Sequence, residues 1–168
     1  MATLMAFLAQ DFYWVVLAAA GGVLALRGRA RWREWGLAAV LIGGLAWGIA
    51  QVATRLIQSP RPFLESGRPP LIPSAQDNGF PSDHTLLLAA VAAVVTLVDR
   101  RAGLLFWALA LGVGLARVYA GVHHLLDVGG SLGIAGLALG LYLLGRRAWG
   151  ARHPPPGIAP PRDPLPAR

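Results

Sequence analysis

Five apolar runs, at residues 12–26, 35–57, 85–98, 102–116 and 125–144, dominate this chain and decide which solvent it can fold in. A helix needs about 20 apolar residues to cross a bilayer. The second and fifth runs meet that length. The other three are shorter, and a buried helix of a soluble protein could look the same. Glycine and alanine abundance, suited to close helix contact, favours spans, as do tryptophan and arginine at the run edges. Trp35, flanked by Arg33 and Glu34, is one such edge residue. Only 14% of the 168 residues are charged and the mean hydropathy is +0.54, against about a quarter charged in a soluble domain. The expected fold is therefore all-α: one polytopic membrane helical bundle with about five transmembrane helices.

The net charge of +7 comes from arginine alone, because lysine is absent. In a soluble chain this would suggest nucleic acid. Here eleven of the fifteen arginines follow the first, third and fifth runs. If five helices alternate, all eleven share one face, which the positive-inside rule makes cytoplasmic. Arg55, Arg61, Arg68 and Arg117 fall on the opposite, extracytoplasmic face. The expectation is a multi-pass protein of the cell (inner) membrane with its partner chemistry in the bilayer and no nucleic-acid role.

Residues 1–10 carry no basic n-region and no Ala-x-Ala-like site, and read as an uncleaved start. Cysteine is absent, which removes disulfides and thiolate metal sites. Residues 59–83 form a long connection carrying six prolines, a length that marks a loop as functional or disordered. Residues 1–149 are expected to be the membrane domain. Residues 150–168, with Pro154-Pro155-Pro156 and Pro160-Pro161, are expected to be a disordered cytoplasmic tail.

Polar residues cluster at three places beside the apolar runs. Arg61 lies between Pro60 and Pro62, and its planar fork of donors matches phosphate oxygens. Alone it reads better as a snorkelling helix-end arginine, and the case for phosphate binding rests on the other two clusters. In Pro81-Ser82-Asp83-His84, Ser82 or Asp83 suits a helix N-cap, and a helix start is an anion site. His84 in the first turn titrates near neutral pH and can protonate a leaving oxygen. Arg117, His123 and Asp127 form the third cluster. On a helix His123 and Asp127 share a face, so the carboxylate can hold Nδ1–H and leave Nε2 as a nucleophile. Gly121 offers the break that lets the chain turn after Arg117. His124 lacks an acid four residues on and reads as wall. Zinc ligation by His84, His123, Asp83 and Asp127 is conceivable, but converging arginines attract an anion and repel a cation.

These residues resemble the type 2 phosphatidic acid phosphatase and vanadium haloperoxidase superfamily, whose pattern is Lys-x6-Arg-Pro, Pro-Ser-Gly-His and Ser-Arg-x5-His-x3-Asp. The corresponding segments are Thr54-x6-Arg61-Pro62, Pro81-Ser82-Asp83-His84 and Ala116-Arg117-x5-His123-x3-Asp127. Arg61-Pro62-Phe63, Leu71-Ile72-Pro73 and Phe80-Pro81-Ser82-Asp83-His84-Thr85 are similar to its bacitracin-resistance branch, the undecaprenyl-diphosphate phosphatases. Thr54 stands in place of the family lysine, with Arg55 adjacent as the available cation. Ala116 stands in place of the family serine. The resemblance implies a lipid phosphatase with no metal or other cofactor and a phosphohistidine intermediate. In it His123 attacks, Asp127 orients His123, and His84 protonates the leaving group. Arg61, Arg117, Ser82, the Asp83 backbone N–H and Arg55 would hold the phosphoryl oxygens.

The leading expectation is hydrolysis of undecaprenyl diphosphate to the monophosphate on the extracytoplasmic side. A broader phospholipid phosphatase, acting on phosphatidic acid or phosphatidylglycerol phosphate, shares these motifs. A non-catalytic protein that binds lipid phosphates is the reading from another class, and both histidines and Asp127 argue against it. A soluble vanadate haloperoxidase is disfavoured by the apolar runs.

Overall fold

The computed structural model describes residues 1–152. Its elements are helical: α1 (Ala2–Gln10), α2 (Phe12–Arg27), a 3-10 turn (Arg29–Arg31), α3 (Trp32–Leu56), α4 (Pro62–Ser66), α5 (Asp83–Val98), α6 (Arg100–Tyr119) and α7 (Leu125–Arg152). Each apolar run has become one long helix, with ends shifted by a few residues. The turn and α3 together (Arg29–Leu56), α6 and α7 are each long and apolar enough to cross a bilayer. Helices α1 and α2, bent by 49° at Asp11, meet that condition only as a pair. Helix α5 is apolar but has only 16 residues, about 24 Å of rise. The protein is a polytopic membrane bundle.

Helix α5 is the centre of that bundle and touches α2, α3, α6 and α7. Its Leu88, Ala89, Ala92, Ala93 and Val95 are fully buried. Small side chains let neighbouring backbones approach closely, and the core extends through Val16, Ala20, Phe106, Ala110 and Ala135 to Ile42, Ala46, Ala50 and Ala138. Large apolar residues such as Val40, Trp47, Leu104, Leu105, Leu137 and Leu144 point outward. A soluble protein avoids such a belt. A lipid-facing bundle requires it.

The two ends of the bundle differ. At one, Arg27 pairs with Asp99, whose Oδ1 also caps α6 by accepting from the Arg101 and Ala102 N–H groups at 2.9 Å. Arg31 pairs with Glu34, while Arg31 and Arg33 lie over the Trp35 and Trp32 rings. At the other end stand the close of α3, the start of α5, the close of α6 and the start of α7. Every motif residue lies there.

The connection between α3 and α5 is built, not loose. It contains α4, which ends in the left-handed Gly67, and it buries Ile72 against Ala9, Ala116, Ala120 and Val122. The Leu71 N–H donates to the Ala120 carbonyl at 3.0 Å. Helix α7 continues three residues past Trp149, into the stretch expected to belong to the tail. The rest of the expected tail lies outside the described residues.

Candidate active site

Arg61 is delivered by the N-cap position of α4, with Pro62 opening that helix. Its side chain is buried, yet it carries a full charge. Nη1 donates to the Val122 carbonyl at 3.1 Å and lies 3.3 Å from His123 Nε2. Nε donates to Asp77 Oδ1 at 2.9 Å, and Nη2 forms an ion pair with the same oxygen at 2.7 Å. Arg117 comes from the last turn of α6 and is equally buried. Its Nη1 donates to the Ala9 carbonyl at 2.8 Å, and Nη2 lies 3.4 Å from the same His123 Nε2. Arg117 has no carboxylate within ion-pair distance among the described residues, and its Nε–H is buried without a partner. A buried charge left in that state is expensive. An anion beside the guanidinium would relieve it.

His123 stands in the turn before α7, not on the helix as the four-residue spacing suggests. Gly121, with φ of +76°, makes that turn, and a left-handed backbone there is what glycine permits without strain. Asp127 in the first turn of α7 then reaches back to place Oδ2 3.3 Å from His123 Nδ1. The same oxygen accepts from the His124 N–H at 2.8 Å, while Oδ1 is buried without a partner. The surroundings decide the tautomer. Nδ1 faces only a carboxylate and must carry the proton; Nε2 faces two guanidinium donors and must present its lone pair. In the neutral ring His123 therefore turns the Nε2 lone pair towards the two arginines.

Ser82 is fully buried at the N-cap of α5, but its side chain makes no capping bond. Its Oγ accepts from the Thr85 hydroxyl at 3.1 Å, and its carbonyl accepts from the Ser131 hydroxyl at 3.0 Å, which ties α5 to α7. Asp83 is exposed in the first turn. His84 is half-buried, meets the Tyr13 ring edge-on at 4.6 Å, and lies within electrostatic reach of Arg117 and His123. Arg55 is exposed on the last turn of α3 and shares none of these contacts. The structure thus brings Arg61, Arg117, His123, Asp127, Ser82 and His84 to one end of the bundle and leaves Arg55 at its margin. His124 turns aside, towards Glu65 at 3.2 Å and Ser59 at 3.4 Å.

Several contributors escape motif reading. Backbone carbonyls of Ala9 and Val122 hold the arginines, and a carbonyl has no signature in sequence. Tyr13 reads as an interfacial aromatic at the start of an apolar run. Asp77-Asn78-Gly79 reads as a turn, although its place directly before Phe80-Pro81-Ser82 was a usable signal.

A family model described as the PAP2 superfamily matches residues 34–150. The chain belongs to this superfamily. The match takes in every motif, but it begins after the α1–α2 elbow that supplies Ala9 and Tyr13. Among curated relatives, the Bacillus licheniformis "Bacitracin transport permease protein BcrC" is 42% identical over 66 residues, covering 38% of this chain and 32% of that protein. The "Undecaprenyl-diphosphatase BcrC" of Bacillus subtilis (strain 168) is 36% identical over 94 residues, 56% of this chain and 48% of the relative. The "Putative undecaprenyl-diphosphatase YbjG" of Escherichia coli (strain K12) is 31% identical over 138 residues, 82% and 69% of the two chains. The matches thus span between about a third and about two thirds of these relatives' lengths.

Proposed function

We propose that this PAP2 protein is a membrane lipid phosphatase that hydrolyses undecaprenyl diphosphate to undecaprenyl phosphate at an extracytoplasmic site. The observation that carries the reading is His123 Nε2, which lies within 3.4 Å of two buried guanidinium groups. A terminal phosphoryl group held by Arg61 and Arg117 sits against that nitrogen. Nε2 attacks phosphorus as the bond to the bridging oxygen breaks, and His84, which takes up a proton once the anionic substrate is bound beside it, gives that proton to the departing lipid phosphate. The Asp127 carboxylate stabilises the charge that develops on the His123 ring. Water, losing its proton to the now neutral His84, then attacks the phosphohistidine, releasing phosphate and restoring both histidines. The choice of lipid rests on the names of the relatives. The outward-facing site rests on the arginine-rich opposite end.

The test is phosphate release by the full chain in detergent across undecaprenyl diphosphate, phosphatidic acid and phosphatidylglycerol phosphate, with EDTA and no added metal. Undecaprenyl diphosphate should be the best substrate, and His123→Ala should reduce release to background while the protein stays folded. Near-normal turnover by His123→Ala rules out the phosphohistidine route. A preference for phosphatidic acid reassigns the substrate to ordinary phospholipids.

A further inference from the structure

Asp77 lies in none of the three motifs, yet it makes the shortest contacts Arg61 has. Its carboxylate meets one edge of the guanidinium through a single oxygen, Oδ1, which accepts from Nε and pairs ionically with Nη2. The other edge, Nη1, is the one that faces Val122 and His123. Asp77 therefore covers the side of Arg61 turned away from the nucleophile and leaves the inner donors for an anion. At 63% exposure it is a poor candidate for a folding contact. Its position is nevertheless well defined, because the next residue is bolted down. Asn78 Nδ2 donates to the Thr54 carbonyl, the Thr54 hydroxyl and the Ile57 carbonyl at 3.0, 3.0 and 2.8 Å. Its Oδ1 accepts from the N–H groups of Ser59 at 2.8 Å and Phe80 at 3.3 Å. Gly79 allows this close approach, since a Cβ there would lie 3.0 Å from the Ser59 carbonyl and 3.1 Å from Asp127 Oδ2.

We infer that Asp77, clamped through Asn78 to the end of α3, is a positioning residue that aims Arg61 at the phosphoryl group. The inference rests on the phosphatase reading above and deepens it. Thr54, where the family has lysine, has its hydroxyl engaged by the Asn78 clamp. A charge-assisted hydrogen bond that orients a buried arginine is worth about tenfold in turnover at the lower end of its range.

The experiment compares wild type with Asp77→Ala, Asp77→Asn, Arg61→Ala and the double variant Asp77→Ala/Arg61→Ala. Turnover of undecaprenyl diphosphate, inhibition by vanadate as a phosphoryl analogue, and thermal unfolding are followed for each full-length protein. Asp77→Ala should lose about tenfold in turnover, with vanadate inhibition weakened in parallel and the unfolding midpoint held. Asp77→Asn, which keeps an oxygen acceptor facing Arg61, should recover most of the loss. In the Arg61→Ala background, removing Asp77 should cost nothing more. Stronger vanadate inhibition in Asp77→Ala would identify the carboxylate as a competitor for the anion site and overturn the inference. So would unchanged turnover, or an equal loss with and without Arg61. If Arg61→Ala itself behaves as wild type, the parent reading of the phosphate site fails and takes this one with it. If Arg61→Ala is impaired and Asp77→Ala is normal, this inference alone falls.

Discussion

His84 occupies the first turn of α5, beside the buried arginines and edge-on to Tyr13. In the proposed role of proton donor it matters in proportion to how badly the leaving oxygen needs a proton. His84→Ala should therefore slow an alkyl monophosphate by about a hundredfold or more, and a lipid diphosphate, whose leaving group is itself a phosphate, by less. An aryl phosphate such as p-nitrophenyl phosphate should be slowed least. Steady-state rates on the three substrates check the order, and equal losses on all three would assign His84 to binding. At this scale sequence reading was good for side chains and blind to main chain. The three motifs pointed to the histidine, aspartate and arginine types that converge. Arg55, also named as a phosphate contact, stays exposed on the last turn of α3 and outside the cluster's contacts; adjacency to Thr54 in sequence says nothing about which way a helix turns a side chain.

Among the elements, the α1–α2 elbow contributes what no motif announces. Asp11 separates the two helices at a 49° bend. On one side of the bend the Ala9 carbonyl receives Arg117; on the other Tyr13 packs against His84. Aromatic contacts of this kind are worth about 0.5–1.5 kcal/mol, so Tyr13→Ala should slow an alkyl phosphate by roughly three- to tenfold. Tyr13→Phe should hold the rate, p-nitrophenyl phosphate should scarcely respond, and the effect should vanish in a His84→Ala background. A loss of the same size on every substrate would mean that Tyr13 supports the bundle and not the acid. Residues 1–10, which read as no more than a start, fold as a helix against α6, because Ala6, Leu8 and Ala9 bury against Ala116, Ala120 and Val122.

Across the whole molecule, the motif end and the arginine end lie at opposite poles of the bundle, and that separation makes sidedness testable in a chain without cysteine. Gln76 is exposed in the loop beside the site, and Ala151 is exposed near the end of α7. A cysteine at Gln76 should react with an impermeant thiol reagent in intact cells (spheroplasts, if an outer membrane intervenes). One at Ala151 should react only after lysis. The reverse labelling pattern would move the site to the cytoplasmic face and its substrate to lipid phosphates found there.

Sequence alone marked the solvent and the five main helices: apolar runs in lipid must satisfy their own backbone hydrogen bonds, and each run is helical, whereas α1 and α4 were not read from it. It also marked polar side chains that the fold brings together: Arg61, Arg117, His123 and Asp127 meet at one end of the bundle. Gly121 carried the break it was read to carry. Tertiary structure decided the rest. Only the packing of α1 and α6 brings Ala9 to Arg117, and only the folded connection between α3 and α5 brings Asp77 to Arg61 across sixteen positions of sequence. The spacing of His123 and Asp127 suggested a pair on one helix face, yet the pair forms across a turn. Local periodicity reports what a side chain is and which way a regular element would aim it. Which buried charge is left waiting for an anion depends on what the remaining elements place around it.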